Sequence, residues 1–301
     1  MNSAIILLLS LAIDRVFGEP PDIFHPTVYI GKAIEKLKFL ERYGGAGGIF
    51  IVVMAACLSI SIFLLLIHLQ GYAKLLLSIY ILKSSFSWRG LRDYTLPVGD
   101  ALKSGALERA RKLLVYIVSR PTEKLDESEA SSACVESIGE NIHDSMLSPL
   151  FYFALFSCLS PEAGVAAAFF YRVMNTLDSM IGYRKYGSFG MSSAKLDDIL
   201  NYIPARVSAL LIILFSSEKI RTLKTVLKYG SATESPNAGI PMAAMAGATG
   251  VKLTKKGSYV LGEGRDAVPE DIDKAIAIAD RVIFFFALVI FLLLLIICTP
   301  F

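Results

Sequence analysis

The sequence predicts an all-α, polytopic membrane protein with about four to six membrane-embedded helices and polar helical loops that carry the functional site. Composition is the first reason, because 54% of the 301 residues are hydrophobic and the mean hydropathy is +0.56. The second reason is the apolar runs. Residues 49–69 contain no Asp, Glu, Lys or Arg and are long enough to span the hydrocarbon core of a bilayer, and residues 282–298 form a second strong candidate. We expect one integral membrane domain over residues 1–301.

Shorter apolar runs account for the range in the predicted helix count. They lie at residues 2–13, 72–82, 147–171 and 203–216. The run 147–171 is interrupted from Ser160 to Gly164, which predicts a broken or re-entrant pair of helices. The N-terminal run has no basic leader and no small-residue cleavage site, which is typical of a retained helix rather than a signal peptide. A buried soluble helix explains so short a run equally well.

Charge favours paired helices over single crossings. Lysines and arginines concentrate in cytoplasmic loops of membrane proteins, and here every polar loop is rich in them. Paired or re-entrant helices would put all of these loops on one side. The net charge of +3 carries little information about partners, and no basic run or motif indicates binding to nucleic acid. The four cysteines lack CxxC spacing, so neither a zinc site nor a disulfide framework is indicated.

Residues 122–146 predict a helix with a column of acids on one face. At 100° per residue these acids fall within an arc of about 80°. No Lys or Arg is interleaved, and the helix leads into the apolar run, so we predict a metal or cation site for its C-terminal half. A solvated surface face is the alternative, and it suffices for the first two acids. The column comprises Asp126, Glu129, Glu136, Glu140 and Asp144.

A second polar region, residues 172–206, lies between apolar runs. Polar and acidic residues beside membrane spans are costly to keep there, and their default interpretation is functional. Helix capping explains one of them but not five in paired helical spacing. Carboxylate and amide oxygens suit Mg²⁺, which binds through one or two carboxylates plus substrate phosphates. These residues are Asn175, Asp178, Asp197, Asp198 and Asn201, and they predict a membrane enzyme with a phosphorylated substrate.

Two further features follow in the chain. Pro204 is expected to end or kink its helix, and Arg206 follows it. Ser235 and Asn237 then form a turn before a helix of small residues, whose free first-turn N–H groups suit an anion. The small residues allow another helix or a flat ligand to approach closely. An ordinary small-residue packing interface is the alternative. His25, which precedes a proline, is expected to be structural.

Together these motifs resemble the CobD/CbiB family of cobalamin biosynthesis, the adenosylcobinamide-phosphate synthases. The strings ESIGEN…D, NTLDSMIGY, LDDILNYIPAR and SPNAG carry the resemblance, and matching blocks in family order cover almost the whole chain. Two departures are visible. The family reads Gly-Arg-Asp-Thr where this chain has Ser-Arg-Pro-Thr at residues 119–122, and the motif at residues 262–266 is shortened. The first departure puts a role for an acid at position 121 in doubt.

The resemblance implies an amide ligase in a prokaryotic cell membrane. It would join the propionate carboxylate of adenosylcobyric acid to (R)-1-aminopropan-2-ol or its O-phosphate, with ATP and Mg²⁺ and through an acyl phosphate. Membrane lipid is an expected partner, other corrinoid-pathway enzymes are possible partners, and no nucleic acid is expected. We expect the corrin to lie against the small-residue helix.

For this activity we assign roles to the polar residues as hypotheses. The catalytic residues expected are Glu136, Glu140, Asp178 and Asp197. The expected metal ligands are Glu140, Asp144, Asp178, Asp197 and Asp198. The residues expected to bind ATP, phosphate or substrate amides are Arg120, Asn141, Asn175, Asn201, Arg206, Ser235 and Asn237.

Two other functions stay open. A Mg²⁺-dependent membrane prenyl- or phosphatidyl-transferase also uses paired acidic clusters, but such enzymes usually show Asp-x-x-x-Asp spacing, and this chain has NxxD and DDxxN. A cation-coupled transporter would more often show internal repeats and acids within long spans. Here no repeat is visible and the acids flank the spans.

Overall fold

The computed structural model describes residues 2–297, and this part of the chain is mostly helical. The predicted helical membrane fold is confirmed. Within the described residues three helical segments are long and apolar enough to cross a membrane: Gly45–His68, Arg184–Phe215 and Glu270–Ile296. Three is fewer than the four to six embedded helices predicted. Other apolar runs form helices that are too short, such as Ser3–Phe17 with 15 residues and Gly71–Lys83 with 13.

The chain forms two compact units, each assembled from separated parts of the sequence. Unit 1 takes the described parts of Met1–Trp88, Ser148–Leu200 and Ala287–Phe301, and unit 2 takes Arg89–Leu147 and Asn201–Phe286. Whether the whole chain acts as one domain stays a prediction.

Unit 1 is built from apolar helices that pack closely. The predicted break in residues 147–171 is confirmed, because one helix ends at Ser157 and the next begins at Pro161. Ser160 caps the second helix by accepting a hydrogen bond from the backbone N–H of Ala163 at 3.1 Å. The helices of this unit are α1 (Ser3–Phe17), α2 (Pro26–Leu37), α3 (Gly45–His68), α4 (Gly71–Lys83), α8 (Ser148–Ser157), α9 (Pro161–Ile181) and the first part of α10 (Gly187–Phe215).

Unit 2 adds a small sheet that the all-α prediction did not include. Strand β1 pairs antiparallel with β2, with Leu253 opposite Leu261, and parallel with β3, with Val251 opposite Arg265. The elements of this unit are α5 (Trp88–Lys103), α6 (Leu107–Leu114), α7 (Glu127–Ile142), the rest of α10, α11 (Lys219–Tyr229), α12 (Gly239–Thr249), β1 (Val251–Lys255), β2 (Tyr259–Leu261), β3 (Arg265–Asp266) and most of α13 (Glu270–Ile297).

Helix α10 does not end at Pro204, contrary to one of the two expectations for this residue. Proline has no N–H, so the carbonyl of Leu200 lacks its usual helical donor. The hydroxyl of Tyr152 donates to that carbonyl at 2.8 Å. An outside donor of this kind is how proline is tolerated within a helix in an apolar environment.

A buried charge network joins the N-terminal motif of unit 1 to the end of α4. The Nζ of Lys83 lies 3.1 Å from both Asp14 Oδ1 and Glu19 Oε2. His25 Nε2 lies 2.9 Å from the same oxygen of Glu19, and its Nδ1 accepts a hydrogen bond from the backbone N–H of Thr27 at 3.2 Å. His25 therefore has the structural role predicted for it. We call Asp14, Glu19, His25 and Lys83 the N-terminal charge network.

Candidate functional site

Helix α7 carries the predicted acid column, but it begins later and is buried more deeply than expected. It begins at Glu127 behind a capping box, in which Asp126 accepts from the N–H of Glu129 at 2.8 Å and Glu129 accepts from the N–H of Asp126 at 3.1 Å. Every residue from 130 to 139 is buried. A solvated face is therefore wrong for Glu136, which is 5% exposed. For Asp126 it is correct.

The Glu136 carboxylate is held at one oxygen only. Its Oε1 accepts hydrogen bonds from the hydroxyl of Tyr259 at 2.7 Å and from the guanidinium of Arg120. Arg120 also donates to the carbonyl of Thr254 in β1 at 3.0 Å. The other oxygen, Oε2, is buried and has no hydrogen-bond partner among the described residues. A buried carboxylate oxygen without a donor is costly, and it favours a cation or a donor from a ligand.

Glu140 lies in the field of two further acids. It is half-buried in the α7 helix. Burial, followed by the charges of Asp144 and Glu136, raises the pKa of Glu140 to about 7, although His143 and Lys255 act in the opposite direction. We call Glu136, Glu140 and Asp144 the acid cluster. Burial and the two acids beside Glu140 raise its pKa by more than the two nearby cations lower it.

A π-helical turn, His143–Leu147, follows α7 and completes the surroundings of the acid cluster. In this turn the Nε2 of His143 lies 2.9 Å from Asp144 Oδ1. Asn141 donates to the carbonyl of Ser137 at 2.9 Å and accepts from Ser145 at 2.9 Å. Asn141 is thus held by internal hydrogen bonds in the structure, and its predicted contact with substrate stays a prediction. Turns of π-helix inside α-helices are frequent at functional sites.

A second group in unit 2 joins residues from α10 and from the turn before α12. Arg206 donates to the Tyr202 carbonyl at 2.6 Å and to Asn237 Oδ1 at 3.1 Å. Its guanidinium lies 3.5 Å from the centroid of the Tyr202 ring. Ser235 Oγ accepts from the N–H groups of Asn237 and Ala238 at 3.3 and 3.4 Å. Arg206 and Asn237 are thus brought together, and Ser235 stabilises the turn.

Asn201 and Asn237 are both buried within unit 2. Burial of an amide side chain requires that its hydrogen-bonding groups are satisfied. Their predicted contact with substrate amides or phosphates stays a prediction.

The small-residue helix α12 is enclosed by protein. A Cβ on Gly139 of α7 would lie 3.2 Å from the Cα of Met242, and one on Gly247 would lie 2.6 Å from the Cα of Thr222 in α11. Helices α7 and α11 therefore use the close approach that the small residues permit, as one alternative predicted. All residues from 241 to 249 are buried. The expectation that the corrin lies against this surface is wrong, because helices occupy it.

The acids of unit 1 lie on two helices. Asn175 and Asp178 occupy the last turns of α9, and Asp197 and Asp198 lie in the interior of α10, where capping does not explain them. A Cβ on Gly182 would lie 1.9 Å from Asp178 Oδ1, so only glycine fits under this carboxylate. The glycine at position 182 thus leaves room for the Asp178 carboxylate.

The structure divides the predicted metal ligands between the units. Glu140 and Asp144 lie in unit 2, whereas Asp178, Asp197 and Asp198 lie in unit 1. Across residues 2–297 no group of three or more His, Cys, Asp or Glu side chains is arranged to hold a metal ion. Mg²⁺ keeps several waters and is commonly bound by one or two carboxylates plus substrate phosphates.

Sequence reasoning missed two polar residues that contact the predicted site. Arg172 donates to the Asn175 side chain at 3.4 Å and to the Ser85 carbonyl at 2.8 Å. Its position three residues before Asn175 was a usable signal, because such residues share a helix face. Tyr259 lies 123 positions from its partner Glu136 and had no such signal.

A groove of about 750 Å³ in unit 2 contains none of the predicted site residues. Helix α11 forms one wall, and Arg221 of this wall donates to the carbonyl of Gly247 at 2.9 Å. The charged residues that line the groove are Glu218, Arg221, Lys224, Lys228 and Glu263.

Comparison with known proteins gives a consistent result. A family model described as CobD/Cbib protein matches residues 7–280. The probable cobalamin biosynthesis protein CobD of Methanothrix thermoacetophila is 39% identical, over 96% of each chain. The similarly named protein of Methanothermobacter thermautotrophicus is 38% identical, over 90% of this chain and 91% of its own. The cobalamin biosynthesis protein CobD of Dehalococcoides mccartyi is 38% identical, over 93% and 94%. No solved structure matches the chain.

Proposed function

The chain belongs to the CobD/CbiB family of cobalamin biosynthesis, and from this premise we propose that it is an adenosylcobinamide-phosphate synthase of the prokaryotic cell membrane. It joins the propionate carboxylate of adenosylcobyric acid to the amine of (R)-1-aminopropan-2-ol or its O-phosphate. ATP and Mg²⁺ drive the ligation. The observation that carries the proposal is the acid cluster, in which the buried Glu136 lies near the half-buried Glu140 and Asp144, and in which the pKa of Glu140 is raised despite the nearby cations.

The chemistry requires activation of the acid and deprotonation of the amine. A carboxylate oxygen attacks the γ-phosphorus of ATP, and ADP leaves, which gives an acyl phosphate. The amine nitrogen then attacks the acyl carbon, the C–O bond to phosphate breaks and the amide forms. Because an ammonium group has no lone pair, a base must take its proton first.

Glu140 is the base in this proposal. Its pKa of about 7 means that at neutral pH a large fraction of the carboxylate is ionised and able to accept a proton. Burial is the main cause of this raised pKa, and the charges of Asp144 and Glu136 add to it because they disfavour a third negative charge nearby. Arg120 and Tyr259 hold Glu136 in place from one side. Arg120 is thus a positioning residue here, rather than a direct phosphate ligand.

The residues of the acid cluster suit Mg²⁺. Glu136 has a buried oxygen without a hydrogen-bond donor among the described residues. Glu136 and Asp144 are both near enough to Glu140 for their charges to raise its pKa. Hard oxygen ligands of this kind match Mg²⁺. When bound, the ion would neutralise charge on the transferring phosphoryl group. Asp178, Asp197 and Asp198, which lie in unit 1, are the other proposed ligands, and one or two of them would act together with substrate phosphates.

Arg206 and Asn237 are proposed to bind phosphate or the amide groups of the corrin. The guanidinium of Arg206 already donates to the Asn237 amide at 3.1 Å. Guanidinium groups bind phosphate and carboxylate through paired N–H donors. Asn175 and Asn201 supply further amide groups on α9 and α10.

The test is product formation by purified full-length protein in detergent. It would be incubated with adenosylcobyric acid, aminopropanol phosphate, ATP and Mg²⁺, and the product mass measured. We expect the amide, and we expect it to disappear when ATP or Mg²⁺ is omitted. Absence of amide with either amine, from folded protein, would contradict the proposal and favour the transferase or transporter alternatives.

Variants then test the residues. We expect Asp178→Ala and Asp197→Ala to abolish turnover while the protein stays folded. Glu108→Gln is the matched control, because its side chain is exposed and pairs only locally with Arg111. Near-wild-type activity in both aspartate variants would remove the unit 1 metal assignment.

A further inference from the structure

Helix α11 presents an apolar face to the outside of unit 2. At 100° per residue, its large apolar side chains fall within an arc of about 60°. These side chains are Ile220, Leu223 and Leu227, which are 74%, 46% and 76% exposed. We call them the apolar arc. Exposed apolar side chains grouped in this way normally mark an interaction surface.

Packing fixes the direction of the apolar arc. The opposite face of α11 contains Thr222 and Thr225, which are buried. Thr222 packs so closely on α12 that a Cβ on Gly247 would lie 2.6 Å from its Cα. The helix therefore cannot rotate to bury the apolar arc without losing this contact.

Cationic side chains flank the apolar arc along one edge. Arg221, Lys224 and Lys228 are exposed and fall within a neighbouring arc of about 60° on the helix. We call them the basic arc. The same three residues line the groove of about 750 Å³ described above. Lys228 is paired with Glu263, and Lys224 adds a further exposed positive charge.

The apolar arc also lies close to a membrane span along the chain. Helix α10, part of a candidate span, ends at Phe215, and α11 begins at Lys219. Four residues extend at most about 14 Å. The connection is held by Ser216, whose Oγ lies 2.8 Å from the hydroxyl of Thr222 and accepts from the N–H of Glu218 at 3.0 Å.

We propose that α11 lies in the plane of the membrane, with the apolar arc in the boundary between headgroups and acyl chains and the basic arc on the phosphates of anionic lipids. A helix with one apolar face, a basic flank and a nearby span has the properties of an interfacial helix. A second copy docked on this face would bring like charges together along its basic edge. The groove behind the basic arc gives lipid phosphates a cationic wall.

Tryptophan placed on the apolar arc tests the position of the helix. Leu223→Trp is compared with Ser231→Trp, which lies in an exposed turn after α11, and the wild-type signal from Trp88 is subtracted. In nanodiscs of brominated phosphatidylcholine we expect at least twofold quenching for Leu223→Trp and none for Ser231→Trp. Quenching of Leu223→Trp by aqueous iodide alone would overturn the proposal. Protection from both quenchers would also overturn it and indicate a second copy.

Lipid selectivity tests the basic arc. Lys224→Gln with Lys228→Gln is compared with Lys124→Gln, an exposed lysine in the loop before α7. In mixed vesicles we expect the double variant to lose phosphatidylglycerol enrichment by about fivefold, mainly through Lys224 because Lys228 is already paired with Glu263, and we expect Lys124→Gln to keep it. Unchanged enrichment in the double variant would overturn the proposal. Loss of the wild-type enrichment in inorganic phosphate, but not in sodium chloride of equal ionic strength, would also overturn it, because the basic arc would then bind free phosphate.

Discussion

The N-terminal charge network of unit 1 and the acid cluster of unit 2 both bury carboxylates, but their charges balance differently. In the network, Lys83 is 3% exposed and contacts two carboxylates, while His25 contacts one of them. Burial raises the pKa of Glu19, but the hydrogen bond from His25 and the charge of Lys83 together lower it to about 2. Buried acids whose charge is offset by neighbouring cations in this way are typical of structural networks.

In the acid cluster the balance is reversed. Burial and the neighbouring acids raise the pKa of Glu140 to about 7. Perturbation of this kind, by desolvation and like charge together, is more frequent at functional sites. The comparison shows that burial alone does not separate a structural carboxylate from a reactive one. The direction in which the pKa moves does so.

The strongest test of the comparison removes the carboxylate of Glu140. Glu140→Gln keeps the shape of the side chain but cannot accept a proton, so we expect amide formation to fall by about 10²–10⁴-fold. The melting temperature should not fall, because a repulsive charge has been removed. Activity and thermal unfolding of the same preparation would be measured. Near-wild-type amide formation by the folded Glu140→Gln variant would contradict the assignment.

The second test removes the lysine of the N-terminal charge network. Lys83→Met takes away the cation that contacts both Asp14 and Glu19, so we expect a loss of about 3–5 kcal/mol of stability. The exposed pair of Lys38 with Glu35 gives the control, and Lys38→Met should change stability by less than about 1 kcal/mol. Unfolding in detergent would be followed for both. An equal effect of the two substitutions would show that the network is not structural.

The third test uses pH, because the two acids respond in opposite directions. Native Glu140 holds its proton up to about pH 7, whereas the unfolded group loses it near 4.5, so stability falls as pH rises between these values. Native Glu19 stays ionised down to about pH 2, so its contribution is present above about 4.5 and is lost as pH falls toward 2. From these groups we expect the melting temperature to peak near pH 4.5 to 5.

Variants separate the two contributions to this profile. Glu140→Gln should flatten the decline above pH 5, and Glu19→Gln should flatten the decline below pH 4. If Glu140→Gln leaves the upper limb unchanged, then Glu140 does not have the raised pKa on which its role depends.

The smallest expected effect comes from the support of Glu136. Burial and the Glu136 charge raise the pKa of Tyr259, so its hydroxyl stays protonated and donates at 2.7 Å. Tyr259→Phe removes one of the two donors to this oxygen, and we expect about tenfold slower turnover, since hydrogen bonds to charged groups contribute about 1.5–3 kcal/mol. Tyr72→Phe, on an exposed side chain of unit 1, is the control. Equal rates for both would show that Arg120 alone holds Glu136.

The sequence predicted local helical structure, but it did not predict side-chain contacts between residues that are distant along the chain. The acid column of α7, the pairing of Asn175 with Asp178 on one helix and the break near Ser160 all follow from helical periodicity or capping chemistry. The contact of Arg120 with Glu136 spans 16 positions, so no periodic pattern indicates it.

The span count and the sheet were missed for different reasons. Hydropathy detects apolar runs, but runs such as residues 72–82 form helices too short to cross a membrane. Strand β1 has only five residues, two of them lysines, and it is stabilised by pairing with β2 and β3 rather than by a pattern of its own. The predicted site residues could be identified from their side-chain chemistry and spacing. The hydrogen-bond donors around them could not, because they come from elements that are distant in the sequence.

The hydrogen bond from Tyr152 to the Leu200 carbonyl makes the residue needed at position 152 depend on the proline at position 204. The tyrosine hydroxyl is needed there because residue 204 is proline. With alanine at 204, the Leu200 carbonyl would regain a donor within its own helix, and phenylalanine at 152 would then cost little. The two sites should therefore change together through evolution, and an engineer who replaces this proline gains freedom to redesign a residue 52 positions earlier in the chain.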